Sequence, residues 1–167
     1  FLTAYYFCED GIFDINKLNY IQDYPNKQFF KNEVKEGEIH KHWDESQKAI
    51  VNEKKIKFLK THNSLITAFG NDFTKPEYSL GVIYVIRDPR NVITSVKNHN
   101  DLDTYDQALK FMQDENKVLE DYPHLKNYAK TNIVNSWRIN YQSWLNNKFF
   151  RRLIIRYEDM VKDPSQT

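Results

Sequence analysis

At 167 residues the chain is long enough for one hydrophobic core and gives no sign of a second domain, so residues 1–167 read as a single unit. A formal net charge of +1 offers no broad basic field for nucleic acid, and no stretch approaches the roughly 18 consecutive apolar residues of a membrane span. The single cysteine, Cys8, excludes an internal disulfide framework and points to a reducing, cytoplasmic setting.

In chain order, residues 2–8 are predicted to be helical, followed by a Tyr-, Phe-, Asn- and Lys-rich stretch over 10–37 with Pro25 and little periodicity. That stretch reads as a variable loop with short helices. Residues 43–54 form the next predicted helix, with Trp43, Ala49 and Ile50 on one side. Residues 55–59 begin with alternating charged and apolar side chains, a strand pattern that delivers Lys60, Thr61 and His62 to its C-terminal end. A connector over 65–80 contains Gly70 and Pro76. A helix is predicted over 104–119, capped by Asp103 or Thr104, with Ala108, Phe111, Met112 and Leu119 inward. Another spans 135–145, with Trp137, Tyr141 and Trp144 at helical spacing. The run 153–155 is strand-like and leads into Tyr157, Glu158, Asp159 and Met160, then Asp163-Pro164.

Residues 81–98 are the most informative. The apolar run 82–86 is rich in β-branched residues on both faces, which suits a strand covered on both sides. It ends in Arg87. Asp88 is a good N-cap and Pro89 fits the first helical position. Val92, Ile93 and Val96 then share an apolar face, with Asn91, Ser95 and Asn98 on a polar flank. A helix N-terminus attracts anions, and Arg87 and Ser95 add donors to it. On these residues alone the junction reads equally as a phosphate site or as a capped helix with a surface salt bridge.

Other candidate sites are weaker. Glu38, His40, His42 and Asp44 include a His-x-His pair, yet a zinc site needs further convergent ligands, so a solvated segment is expected and no metal. Lys54, Lys55 and Lys57 read as a solvated basic edge. His99 and His124 have no evident partner.

Taken together, Lys60-Thr61-His62 after a strand, Arg87 with Ser95 eight residues on, Asn135-Ser136-Trp137 opening a helix, and Tyr157 to Met160 after a strand resemble the sulfotransferases that use 3′-phosphoadenosine 5′-phosphosulfate (PAPS). The order and spacing agree over residues 56–164, about two thirds of the chain. The resemblance implies an α/β fold, a three-layer sandwich on a parallel sheet of the P-loop-NTPase-like type, with parallel strands near 56–60, 82–86 and 153–156. It implies sulfuryl transfer from PAPS to a hydroxyl or amine on a small-molecule, glycan or lipid acceptor. His62 is then the general base, Lys60 stabilises developing charge, and Arg87 and Ser95 bind the 3′-phosphate. PAPS is the co-substrate, and no metal is required.

The sequence departs from the family pattern in several places. The Gly- and Ser/Thr-containing 5′-phosphosulfate loop and the late Arg-Lys-Gly element do not occur in it, so an internal fragment, incomplete at both ends and inactive by itself, is expected. Asn63-Ser64 replaces a common Leu-Pro, and Val134 stands where some members have an adenine-contacting tyrosine. Two other readings are a kinase-like phosphoryl transferase, which needs a complete phosphate loop and acidic magnesium ligands, and a non-catalytic 3′-phosphonucleotide-binding domain.

Overall fold

The computed structural model describes residues 2–31, 34–35, 37–119 and 132–163. His124 and Pro164 lie outside them. The first helix, α1, spans Leu2–Phe7, close to its predicted bounds. The segment read as a loop does carry short 3-10 turns, at Ile15–Tyr20 and Lys27–Phe29, but it also holds a two-residue strand, β1 (Gln22–Asp23). Helix α2 is Trp43–Asn52, two residues shorter than expected, because Lys54 turns into the left-handed region at φ 54°.

The strand expected over 56–60 is confined to β2 (Leu59–Lys60), which pairs in parallel with β1 in the register Gln22↔Leu59. The connector folds into a hairpin of β3 (Thr67–Ala68) and β4 (Asn71–Asp72). Phe69 and Gly70 form its tip, both at positive φ (48° and 79°), as a two-residue hairpin turn demands.

The central element is β5 (Gly81–Ile86), which runs parallel to β8 (Arg151–Arg156) in the register Gly81↔Arg151 to Ile86↔Arg156. Gly81 permits this pairing, since a Cβ there would lie 2.9 Å from the Arg151 carbonyl oxygen. Between these strands come α3 (Pro89–His99), α4 (Tyr105–Gln113), β6 (Val118–Leu119), β7 (Asn132–Ile133) and α5 (Trp137–Leu145). A short α6 (Tyr157–Lys162) follows β8 directly. The helix expected over 104–119 therefore stops at Gln113. Its N-terminal half is secured by a Thr104–Gln107 capping box, and its C-terminal residues pair antiparallel with β7 instead.

The predicted parallel direction holds for β5 with β8, while β2 runs parallel to β1, a strand the sequence reading did not foresee. Among the described residues, however, β2 and β5 are not hydrogen-bonded to each other, so the three predicted strands do not form one sheet. Nor is β5 covered evenly. Val82 and Tyr84 pack on the main core of Tyr24, Trp43, Ile50, Phe73 and Trp144, while Ile83 and Val85 remain 39% and 49% exposed. The core is aromatic, with Trp43 edge-on to Phe73 at 5.1 Å between ring centres. Tyr24 enters it from just beyond β1, and its hydroxyl lies 2.7 Å from the Ser46 hydroxyl; burial pushes its pKa up to about 12.

Candidate functional site

The end of β2 is anchored from three directions. Lys60 lies opposite Asp23 in the β1–β2 register, and its Nζ is 3.5 Å from Asp23 Oδ1. The next residues turn inward: Asn63 and Ser64 are almost wholly buried, while His62 is exposed. Asn63 acts as a substitute strand. Its Oδ1 accepts the Ile133 N–H at 2.8 Å, its Nδ2 donates to Asn132 Oδ1 at 3.0 Å, and its carbonyl accepts the Trp144 indole N–H at 2.9 Å. Ser64 donates its hydroxyl to the Val134 carbonyl at 2.6 Å, and its N–H to the Ile133 carbonyl at 2.9 Å. Buried polar groups that are this fully partnered fix a backbone in one path. A Leu-Pro pair at these positions would have neither side-chain amide nor hydroxyl for these bonds.

The backbone of His62 is held by the same framework. Its N–H donates to Asn132 Oδ1 at 3.4 Å, and its carbonyl accepts from Asn140 Nδ2 at 3.1 Å. Asn140 also donates to the Val134 carbonyl and accepts the Tyr84 hydroxyl proton at 2.9 Å. One amide on α5 thus ties the loop after β2 to the middle of β5. Burial raises the Tyr84 hydroxyl to about 12, so it stays a donor to Asn140 at neutral pH. Sequence reasoning assigned no role to Asn63, Asn140 or Tyr84. The unusual Asn63-Ser64 pair was the one visible signal.

The second half of the site is the β5–α3 junction. Asp88 caps α3, its carboxylate accepting the Arg90 N–H at 2.9 Å, and Pro89 occupies the first turn. Bonding from Arg90 holds the Asp88 carboxyl down at about 2. Arg87 and Ser95 come together as their spacing predicts: Arg87 Nη1 donates to Ser95 Oγ at 2.9 Å. The guanidinium lies over the Tyr157 ring, 4.7 Å from its centre. Arg87 Nε is buried and has no hydrogen-bond acceptor among the described residues. The Arg87 Nη1 group and the exposed Ser95 hydroxyl, nearly two helical turns into α3, together offer donors suited to an anion.

The α5 junction follows the same logic. Asn135 sits at φ 58°, a conformation that favours glycine and that Asn tolerates better than most residues. Its Nδ2 donates to the Glu115 carbonyl at 2.7 Å. Ser136, 3% exposed, caps α5 by accepting the Ile139 N–H.

A cavity of about 1490 Å³ separates β2 from β5. It is lined by the consecutive residues 54–63 on one side and 76–87 on the other, so it follows the backbone edges of both strands. Lys60, His62 and Arg87 all border it. Ser95 does not, and joins the site through its bond to Arg87.

A sequence profile of the sulfotransferase domain matches residues 8–167. The chain belongs to the sulfotransferase domain family. A search of curated proteins finds no match. Membership makes the chain part of a transferase family whose chemistry is sulfuryl transfer, and whose members typically use PAPS. In this sulfotransferase domain the four side chains weighed as metal ligands go to separate partners. Glu38 pairs with Lys41, His40 packs between Trp43 and Phe69, and His42 meets the Phe30 ring. Asp44 binds Lys48, Lys75 and Tyr78, which keep its carboxyl well below the usual carboxylate range. Among the described residues no helix is long and apolar enough to cross a membrane.

Proposed function

We propose that this domain transfers the sulfuryl group of PAPS to a hydroxyl or amine of a small-molecule, glycan or lipid acceptor. The observation that carries the reading is the Arg87–Ser95 hydrogen bond, in which Arg87 borders the same cavity as Lys60 and His62. Arg87 and Ser95 bind the 3′-phosphate, the group that distinguishes PAPS from ordinary nucleotides. His62 takes the acceptor proton as the acceptor oxygen or nitrogen bonds to sulfur. The bond from sulfur to the 5′-phosphate oxygen breaks, and adenosine 3′,5′-bisphosphate leaves with its electron pair. A histidine side chain can accept a proton near neutral pH, which suits it to that role. Lys60 offsets the charge that builds on the leaving phosphate and sulfuryl oxygens, and for this its ammonium must leave Asp23.

Arg-led recognition of a 3′-phosphate supports this reading over a phosphoryl transferase, since Asp88 is occupied as a helix cap rather than free for magnesium. The test is to titrate the intact protein with adenosine 3′,5′-bisphosphate, adenosine 5′-phosphate and ATP. Labelled PAPS is then supplied with panels of phenols, amines, sugars and lipids. Preference for the bisphosphate and label transfer that depends on His62 support the proposal. Equal affinity for all three nucleotides removes it, and binding without transfer by the intact protein leaves a non-catalytic domain.

A further inference from the structure

The proposed function leaves the segment Tyr157 to Met160 without a role, although it lies against the phosphate site. The parallel register of β5 and β8 explains why. Ile86 faces Arg156, so the residue after each strand, Arg87 and Tyr157, emerges at the same level on neighbouring strands. Tyr157 meets the guanidinium of Arg87 face-on at 4.7 Å. The next pair is also joined: Glu158 Oε1 accepts the backbone N–H of Asp88 at 2.9 Å. Asp88 is the N-cap of α3, and its own N–H is the group that a capping-box glutamate three residues into the helix ordinarily receives. That position is Asn91 here, and Glu158 supplies the bond from the first turn of α6, just past β8.

From this geometry we infer that Tyr157 and Glu158 are positioning residues for 3′-phosphate recognition, acting through Arg87 and Asp88 rather than by touching the ligand. Tyr157 supports one face of the guanidinium. The Nη1 edge, which reaches the exposed Ser95 hydroxyl, is left to meet an anion. Glu158 fixes the N-cap of α3 and hence the distance between Arg87 and the helix that carries Ser95. Its carboxylate is held below its ordinary range mainly by the Asp88 N–H, so its charge is engaged by a donor beside the site. Either residue alone would leave one side of the junction free to shift. Together they clamp residues 87 and 88 from the start of α6, 70 residues away.

This inference rests on Arg87 reading the 3′-phosphate, and the experiment separates the two claims. Affinities of the intact protein for adenosine 3′,5′-bisphosphate and adenosine 5′-phosphate are measured for the parent protein and for R87A, Y157L, Y157F, E158A and E158Q, and their ratio is the readout. Thermal unfolding of each variant is followed in parallel. A change that merely loosens the fold lowers both affinities together and leaves the ratio intact. Positioning predicts that Y157L reduces the ratio about three- to tenfold, in line with a lost cation–π contact, while Y157F keeps it within about twofold. E158A reduces it, and E158Q, which retains an acceptor for the Asp88 N–H, restores most of it. If R87A collapses the ratio while folded Y157L and E158A leave it unchanged, the positioning role is overturned and the phosphate reading stands. If R87A itself leaves the ratio unchanged, the phosphate reading fails and the clamp fails with it. Should Y157L not fold, the contrast between E158A and E158Q decides the matter by the same criterion.

Discussion

Asn63 lies beside Asn132 with its amide nitrogen 3.0 Å from Asn132 Oδ1, and that oxygen also accepts the backbone N–H of His62. The contact joins positions 69 apart and sets where the chain leaves β2. Asn63 is 1% exposed, so removing its amide leaves the part-buried Ile133 N–H without its acceptor. Asn63→Ala is expected to destabilise the fold by about 2–4 kcal/mol, the range for a broken buried polar network. Urea unfolding measures this, and a loss under about 0.5 kcal/mol, typical of an inert surface change, contradicts it.

His62→Ala in the intact protein should lower turnover by about 10²–10⁴-fold while leaving the affinity for adenosine 3′,5′-bisphosphate unchanged. Initial rates under saturating PAPS, together with a nucleotide titration, check both halves. An unchanged turnover number takes His62 out of the chemistry.

For Arg87→Ala the expected loss is about 1.5–3 kcal/mol of binding for adenosine 3′,5′-bisphosphate, typical of hydrogen bonds to a charged group. Adenosine 5′-phosphate should bind nearly as before. Calorimetry of both ligands distinguishes a phosphate reader from a residue that supports the fold, because the latter weakens both equally.

Asn135 holds a left-handed conformation at φ 58°. Asn135→Ala should cost about 1–2 kcal/mol, since a Cβ without a compensating polar group is disfavoured there. Asn135→Gly should stay within about 0.5 kcal/mol of the parent, as relief of strain offsets the lost bond to the Glu115 carbonyl. Chemical denaturation of the two variants should separate them in that order.

Acid should loosen the α3 junction before neutral conditions do. Asp88 is lowered to about 2 by Arg90, and Glu158 is lowered mainly by the Asp88 N–H. Both carboxylates bind protons more weakly in the folded state than in the unfolded chain. Their stabilisation is therefore present above an ordinary carboxylate pKa of about 4 and fades as pH falls toward about 2. Melting temperatures recorded from pH 7 down to pH 3 should fall, and D88N should show a shallower decline. Parallel curves for D88N and the parent protein would remove Asp88 from this effect.

The sequence by itself determined what depends on neighbours along the chain. The apolar run into Arg87, the Asp88-Pro89 cap and the helical step to Ser95 were legible because a strand period, a cap and nearly two helical turns are local properties. A cap at 103–104 was legible too, though the sequence left Asp103 and Thr104 open and the structure chose Thr104. The tertiary structure alone decided what depends on distant partners. The two-residue strands β1, β6 and β7 are too short to carry a period and exist only through their pairing. Asn63 and Asn132, and likewise Asp88 and Glu158, meet across some 70 residues, through hydrogen bonds that no local pattern encodes. The exposure of Ile83 and Val85 was hidden for a similar reason. A β-branched run records what a strand can bury, whereas the surrounding elements settle which of its faces is covered.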